Sequence, residues 1–122
     1  MFSGFKQPGP QMARIDTKDA IEKVAAGEMT LIDVREADEL RMTGYAEGAL
    51  HIPMMVFRMK VDPSSPELLP ELSVDKPVAL YCASGARSGA AAQAMMQMGY
   101  KEVYNLGGLQ HWQMAGGPVT RG

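Results

Sequence analysis

The sequence predicts an α/β domain, a mostly parallel sheet flanked by helices on both faces. Three observations carry that prediction. Short apolar runs alternate with helix-forming stretches along the chain, the order expected when parallel strands are joined by helical crossovers. Residues 30–34 (TLIDV) and 78–81 (VALY) read as strands buried on both faces, typical of a parallel sheet. Glycines stand where helices should stop, at Gly27, Gly44 and Gly99, as expected of residues that take the left-handed conformation cheaply.

The chain has 122 residues, which suits one domain. Hydrophobic residues make up 46%, enough for a core. Gly4, Pro8, Gly9 and Pro10 mark residues 1–12 as a disordered N-terminal tail, with the folded domain over 13–122. A short strand is expected at Arg14, Ile15 and Asp16, with Thr17 as N-cap of a helix over 18–26. Ile21, Val24 and Ala25 share one face of that helix.

After the strand at 30–34 a short helix is expected over 38–42, and another strand over 49–52, closed by Pro53. A helical turn follows at 55–59. Residues 61–76 hold Pro63, Pro66 and Pro70 and read as a long connection with one helical turn. The strand at 78–81 precedes a helix over 89–98, where Ala91, Ala94, Met95 and Met98 share a face. A last strand spans 103–106. Gly107 and Gly108 turn into a helix carrying Leu109 and Trp112, ended by Gly116, Gly117 and Pro118. No internal repeat is visible.

Composition excludes several functions. The net charge is −2 and no Lys/Arg block stands out, which argues against nucleic acid. No apolar stretch approaches the ~20 residues needed to span a bilayer. The first six residues lack the apolar core of a signal peptide. One cysteine cannot form an internal disulfide, which favours a reducing, cytoplasmic setting. The 11 methionines are scattered and read as flexible core packing rather than metal ligands.

That one cysteine, Cys82, is the candidate nucleophile. It closes the strand at 78–81 and opens the segment Ala83, Ser84, Gly85, Ala86, Arg87, Ser88, directly before a helix. Unpaired N–H groups and the helix dipole favour negative charge there, so the thiolate should form more easily than in a free cysteine. Gly85 lets the backbone curl, and the small Ala83, Ser84 and Ala86 let N–H groups turn inward as an anion nest. Arg87 adds a fixed positive charge. Ser88 is expected to cap the helix and to hydrogen-bond the sulfur. The site lies at the carboxyl end of a strand, where parallel sheets bind ligands. A cysteine and arginine in such a loop serve both sulfur transfer and phosphate chemistry.

Four separated segments resemble the rhodanese family of sulfurtransferases, and the likeness runs from about Ala13 to Gly116. Leu31-Ile32-Asp33-Val34-Arg35-Glu36 resembles its DVRE-type strand end. Residues 44–53 (GYAEGALHIP) are similar to its GHIPGAxNIP segment. Residues 82–88 resemble its active loop, and residues 105–112 (NLGGLQHW) its LxGGxxxW segment. Tyr45, Ala46 and His51 depart from the usual His, Ile and Asn.

The resemblance implies a rhodanese-like fold, with Cys82 as catalytic residue and 83–88 as the anion-binding loop. It implies that a sulfane sulfur passes from a small anionic donor such as thiosulfate to Cys82 as a persulfide. An acceptor then removes it: cyanide in an assay, or a cellular thiol, small or protein-borne. No metal or organic cofactor is implied. Sulfurtransferases of this kind resemble C-x-x-x-x-R, whereas phosphatase and arsenate-reductase relatives carry one more residue. Four residues separate Cys82 from Arg87, the shorter form. The alternative of a non-catalytic module that binds a protein partner is opposed by the intact cysteine, glycine and arginine.

Other polar residues read as structural. Asp33 and Arg35 are expected to form a paired, supporting network, since buried charges need partners. Glu36, Asp38 and Glu39 suit a solvated helix start. His51 and His111 lie outside the loop, and packing or surface roles are expected. With Cys82 they lack the spacing of a zinc site. Trp112 reads as a core anchor, and Arg58 and Lys60 as a solvated face.

Overall fold

The computed structural model describes residues 14–121. The expected tail at 1–12 and the domain start at Ala13 lie outside the described residues. Four strands, β1 (Thr30–Asp33), β3 (Leu50–His51), β4 (Val78–Cys82) and β5 (Val103–Gly108), form a parallel sheet in the order β3-β1-β4-β5. The two central strands are those expected to be buried on both faces, and every residue of each is buried.

Successive residues of these strands feed two cores, as the two-residue period of a strand requires. Ile32, Val78, Leu80, Cys82 and Val103 face helices α3 (Phe57–Val61) and α4 (Ala86–Gln97), through Phe57, Val61, Ala91, Ala92, Met95 and Met96. Leu31, Ala79, Tyr81, Tyr104 and Leu106 face α1 (Thr17–Ala25) and α5 (Leu109–Met114), through Ala20, Leu109 and Trp112. The fold is therefore the α/β architecture read from the sequence, with helices on both faces. Ile32 and Leu80 are wholly buried, each stabilising by about 1.5–3 kcal/mol.

Several local expectations shift. Residues 14–16 form no strand. The Asp16 carboxylate accepts the Lys18 N–H at 3.0 Å, so Asp16 rather than Thr17 caps α1. On α1, Ala20 is buried while Ala25 is exposed. Helix α2 (Ala37–Thr43) is one residue longer at each end than expected and stops at Gly44. The turn at 55–59 is a 3-10 turn, Met54–Val56, running into α3. Residues 62–77 contain turns but no helix. That connection is held by the buried Leu72 and by the Leu69 N–H donating to the Lys60 carbonyl at 3.0 Å.

An unpredicted two-stranded antiparallel pair joins β2 (Tyr45–Ala46) to β6 (Val119–Thr120). Two-residue strands are too short to show an alternating pattern. Among the described residues, no helix is long and apolar enough to cross a membrane.

Candidate active site

Strand β4 ends on Cys82, at the carboxyl edge of the sheet. The chain then turns through Ala83, Ser84 and Gly85, and α4 begins at Ala86. Gly85 makes the turn possible with φ +104, a left-handed value that costs other L-residues about 1–2 kcal/mol. A Cβ there would also meet the Gly107 Cα at 3.2 Å. Gly108 is equally constrained, since a Cβ on it would overlap the Ala83 carbonyl oxygen.

The loop folds its donors onto the sulfur. The Gly85 N–H reaches Sγ at 3.0 Å, the Ser88 hydroxyl at 3.3 Å and the Ser88 N–H at 3.5 Å. Burial pushes the Cys82 thiol up. Hydrogen bonds from the Ser88 hydroxyl and from the N–H groups of Ser88, Gly85 and Ser84 outweigh burial and bring it down to about 7. Ser88 does not cap the helix. It is the third residue of α4, wholly buried, with its hydroxyl turned inward, because Gly85 takes the cap position by backbone conformation alone.

Sequence reasoning asks for a reachable sulfur, and the structure places Cys82 at 0% exposure. It packs within the core that faces α3 and α4, while Ala83, Ser84 and Ala86 of the following loop are exposed. A cavity of about 420 Å³ opens beside Ala83, lined also by Thr43, Leu109, Gln110 and Gln113.

Arg87 is paired with Glu39. Its Nη1 and Nη2 donate to the two Glu39 oxygens at 2.8 and 2.9 Å. Hydrogen bonding from Arg87 holds the Glu39 carboxyl down at about 2, and the same bond raises Arg87. Glu39 is therefore an ion-pair partner of the loop, not a merely solvated residue. Its Oε1 also accepts the Glu36 N–H at 2.8 Å.

Asn105, on β5, is a second residue that sequence reasoning passed over. Its Nδ2 donates to the Gly85 carbonyl at 3.0 Å, and its Oδ1 accepts the Gly107 N–H at 3.0 Å. The Ser88 Oγ lies 2.7 Å from the same Oδ1. The only sequence signal was its place at the head of the NLGG segment.

Asp33 and Arg35 form the buried pair expected of them. Arg35 Nε and Nη2 donate to the carboxylate at 3.1 and 2.8 Å. Tyr81 donates to Asp33 Oδ2 at 2.6 Å and accepts the Ala46 N–H at 2.9 Å. Arg35 also donates to Thr43 Oγ1 and the Gly44 carbonyl, and its guanidinium lies 5.6 Å from the Tyr81 ring centre. This network ties α2 and β2 to the strand residue preceding Cys82.

The histidines do not touch the sulfur. His51 Nε2 sits 2.7 Å from the Arg35 carbonyl, and His111 Nδ1 accepts the Gly108 N–H at 2.9 Å. Trp112 is a core anchor, donating to the Pro118 carbonyl at 2.7 Å. Among the described residues, no group of three His, Cys, Asp or Glu is placed to hold a metal.

The rhodanese-like domain model matches residues 16–115. The chain is 41% identical over 83 residues to the uncharacterized protein YqhL of Bacillus subtilis. That match covers 67% of this chain and 59% of YqhL, so the chain spans less than two thirds of that relative. It is 35% identical over 108 residues to a sulfurtransferase of Allochromatium vinosum, covering 87% of this chain and 92% of that protein. A solved Rhodopseudomonas palustris protein of unknown function, named a possible tyrosine phosphatase, superposes with a TM-score of 0.78 at 29% identity. That likeness covers 96% of this chain and all of the other.

Proposed function

The chain belongs to the rhodanese-like family of sulfurtransferases, and from that premise we propose that it carries sulfane sulfur on Cys82. One observation carries the reading. Three donors from Gly85 and Ser88 converge on a sulfur that lies at the end of a central strand. Such donors stabilise a sulfur anion before and after transfer.

The chemistry balances without a cofactor. The Cys82 thiolate attacks the outer sulfur of thiosulfate, forming a new S–S bond. The S–S bond of the donor breaks, and sulfite leaves with its electron pair. The outer sulfur of the resulting persulfide is then taken by cyanide as thiocyanate, or by a thiolate as a new persulfide. Cys82 returns as thiolate, giving ping-pong kinetics. A lone thiol of this kind suits a reducing, cytoplasmic compartment.

Because the sulfur is wholly buried, transfer needs the structure around it to yield. The cavity beside Ala83 is the entry we favour, and its exposed mouth suits a small donor or a thiol on a partner protein.

A second reading, phosphate-ester hydrolysis, is favoured by the Rhodopseudomonas palustris protein's name. Two features oppose it here. Only four residues separate Cys82 from Arg87. The guanidinium that would grip a phosphate is held by Glu39.

Incubation with thiosulfate followed by intact-mass analysis tests the choice. The expected result is a gain of one sulfur atom, lost on adding cyanide and absent in Cys82→Ser. Turnover of an aryl phosphate or of arsenate, with no gain of sulfur from thiosulfate, would overturn it.

A further inference from the structure

The Ser88 hydroxyl has one proton and two neighbours that can accept it. Cys82 Sγ lies 3.3 Å from Oγ and Asn105 Oδ1 lies 2.7 Å from it. Ser88 is wholly buried, so no bulk water supplies a second donor. The orientation of the Asn105 amide is set by its partners. The Gly107 N–H needs an acceptor and the Gly85 carbonyl needs a donor, and only one orientation of the amide supplies both.

Two arrangements then satisfy the group in turn. With a neutral thiol, S–H donates to Ser88 Oγ, and the hydroxyl donates to Asn105 Oδ1. With a thiolate, the hydroxyl turns its proton to the sulfur, and Asn105 Oδ1 keeps the Gly107 N–H. In a persulfide the charge sits on the outer sulfur, and the proton is again free for Asn105.

We infer that Asn105 is a positioning residue, and that the Ser88 proton moves between Cys82 and Asn105 as the charge on the sulfur changes. The inference rests on Cys82 being the reacting sulfur, as in the reading above. Its consequence is chemical. Asn105 competes for the proton that stabilises the thiolate, which keeps the sulfur from becoming too weak a base. A thiolate is the better nucleophile when its basicity is not driven far below neutral. The other end of the same amide holds the carbonyl of Gly85, the residue whose own N–H aims at the sulfur.

Other charged groups around the sulfur are accounted for. Arg87 on α4 is paired with Glu39 on α2. Asp33 and Arg35 after β1 are paired with each other. His51 on β3 sits against the Arg35 carbonyl, and His111 on α5 accepts the Gly108 N–H. None of them bonds to Ser88 Oγ or to Asn105.

The test uses the full chain, where Cys82 is the sole cysteine, so iodoacetamide alkylation against pH reports on that thiol alone. Asn105→Asp keeps the acceptor, strengthens it and removes the donor to Gly85. Its alkylation midpoint should rise by about one pH unit, which slows alkylation at neutral pH about fivefold. In a Ser88→Ala background the same substitution should move the midpoint by about half as much or less. An unmoved midpoint, or an equal shift with and without the Ser88 hydroxyl, would overturn the inference.

A second measurement needs no variant. The Asn105 side-chain amide and Gly107 amide resonances of the unaltered protein should titrate with the alkylation midpoint. Resonances that stay flat through it would also overturn the inference. Alkylation does not depend on sulfur transfer, so failure of the functional reading (no sulfur gained from thiosulfate) and failure of this inference (an unmoved or Ser88-independent midpoint) are read separately.

Discussion

Arg87 gives both terminal nitrogens to Glu39, 48 residues earlier in the chain, at 2.8 and 2.9 Å. The loop that follows Cys82 is thereby tied to α2. The arginine that carries the loop's one fixed positive charge therefore serves as a strut, and that charge is already paired with a carboxylate.

Glu39→Gln should loosen that strut. The pair is about a third exposed on each side, so the stability lost should be small, about 1 kcal/mol or less. The sulfur-transfer rate should fall several-fold, because the first turn of α4 carries Ser88. The carboxyl is depressed from 4.5 to about 2, so its stabilisation is whole above about pH 4.5 and is lost as pH falls toward 2. Acid titration of unfolding should show this contribution in the native protein and not in Glu39→Gln. Transfer kinetics identical to the native protein would show that the strut does not serve the loop.

The reactivity of Cys82 should follow its own titration. With the thiol lowered from 9.0 to about 7, alkylation should be half-maximal near pH 7 and drop about tenfold per unit below it. The same shift acts on stability. A depressed value means the thiolate stabilises the fold at pH above 9, and that contribution disappears as pH falls through 7. Measured against Cys82→Ser, the native protein should gain on the order of 2 kcal/mol between pH 7 and 9. A midpoint near 9 would mean that the loop donors do not favour the anion.

What could be read from the chain, and what could not, follows from the reach of each interaction. Strands β1 and β4 and the Cys82 loop were legible, because burial on both faces and a glycine in a short turn are local signals. The start of α4 was misplaced by three residues. Gly85 caps it through a left-handed backbone with no side-chain hydrogen bond, so Arg87 and Ser88 read as loop. Glu39 and Asn105 were missed for another reason. Their partners lie 48 and 17–20 residues away, and charge or amide type alone does not say which distant group will be met. The β2–β6 pair fails in the same way, joining two residues near Gly44 to two near the C-terminus.

Asp33→Ala should be strongly destabilising. It would leave Arg35, 3% exposed, without the carboxylate that takes its Nε and Nη2. It would also strip Tyr81 of its acceptor. Breaking a buried pair by removing one partner costs about 3–5 kcal/mol. Urea unfolding should show a correspondingly lower midpoint. A loss under about 1 kcal/mol would indicate that water reaches the guanidinium in the variant.

Gly85→Ala should separate the geometry of the loop from its composition. Alanine adds one methyl group and changes no charge. At φ +104 its backbone is strained, and its Cβ would press on the Gly107 Cα at 3.2 Å. The loop must then either keep its shape, at a cost of about 1–2 kcal/mol, or rotate the peptides on both sides of residue 85. Rotation turns the Gly85 N–H away from Sγ and breaks the Asn105 contact to the Gly85 carbonyl. Cys82 would lose donors while burial, which raises it, remains. The alkylation midpoint should therefore move up toward the ordinary thiol range, and persulfide formation at neutral pH should slow about tenfold or more. Wild-type alkylation and transfer in a stably folded Gly85→Ala protein would mean that the aimed amide at position 85 is not what activates the sulfur.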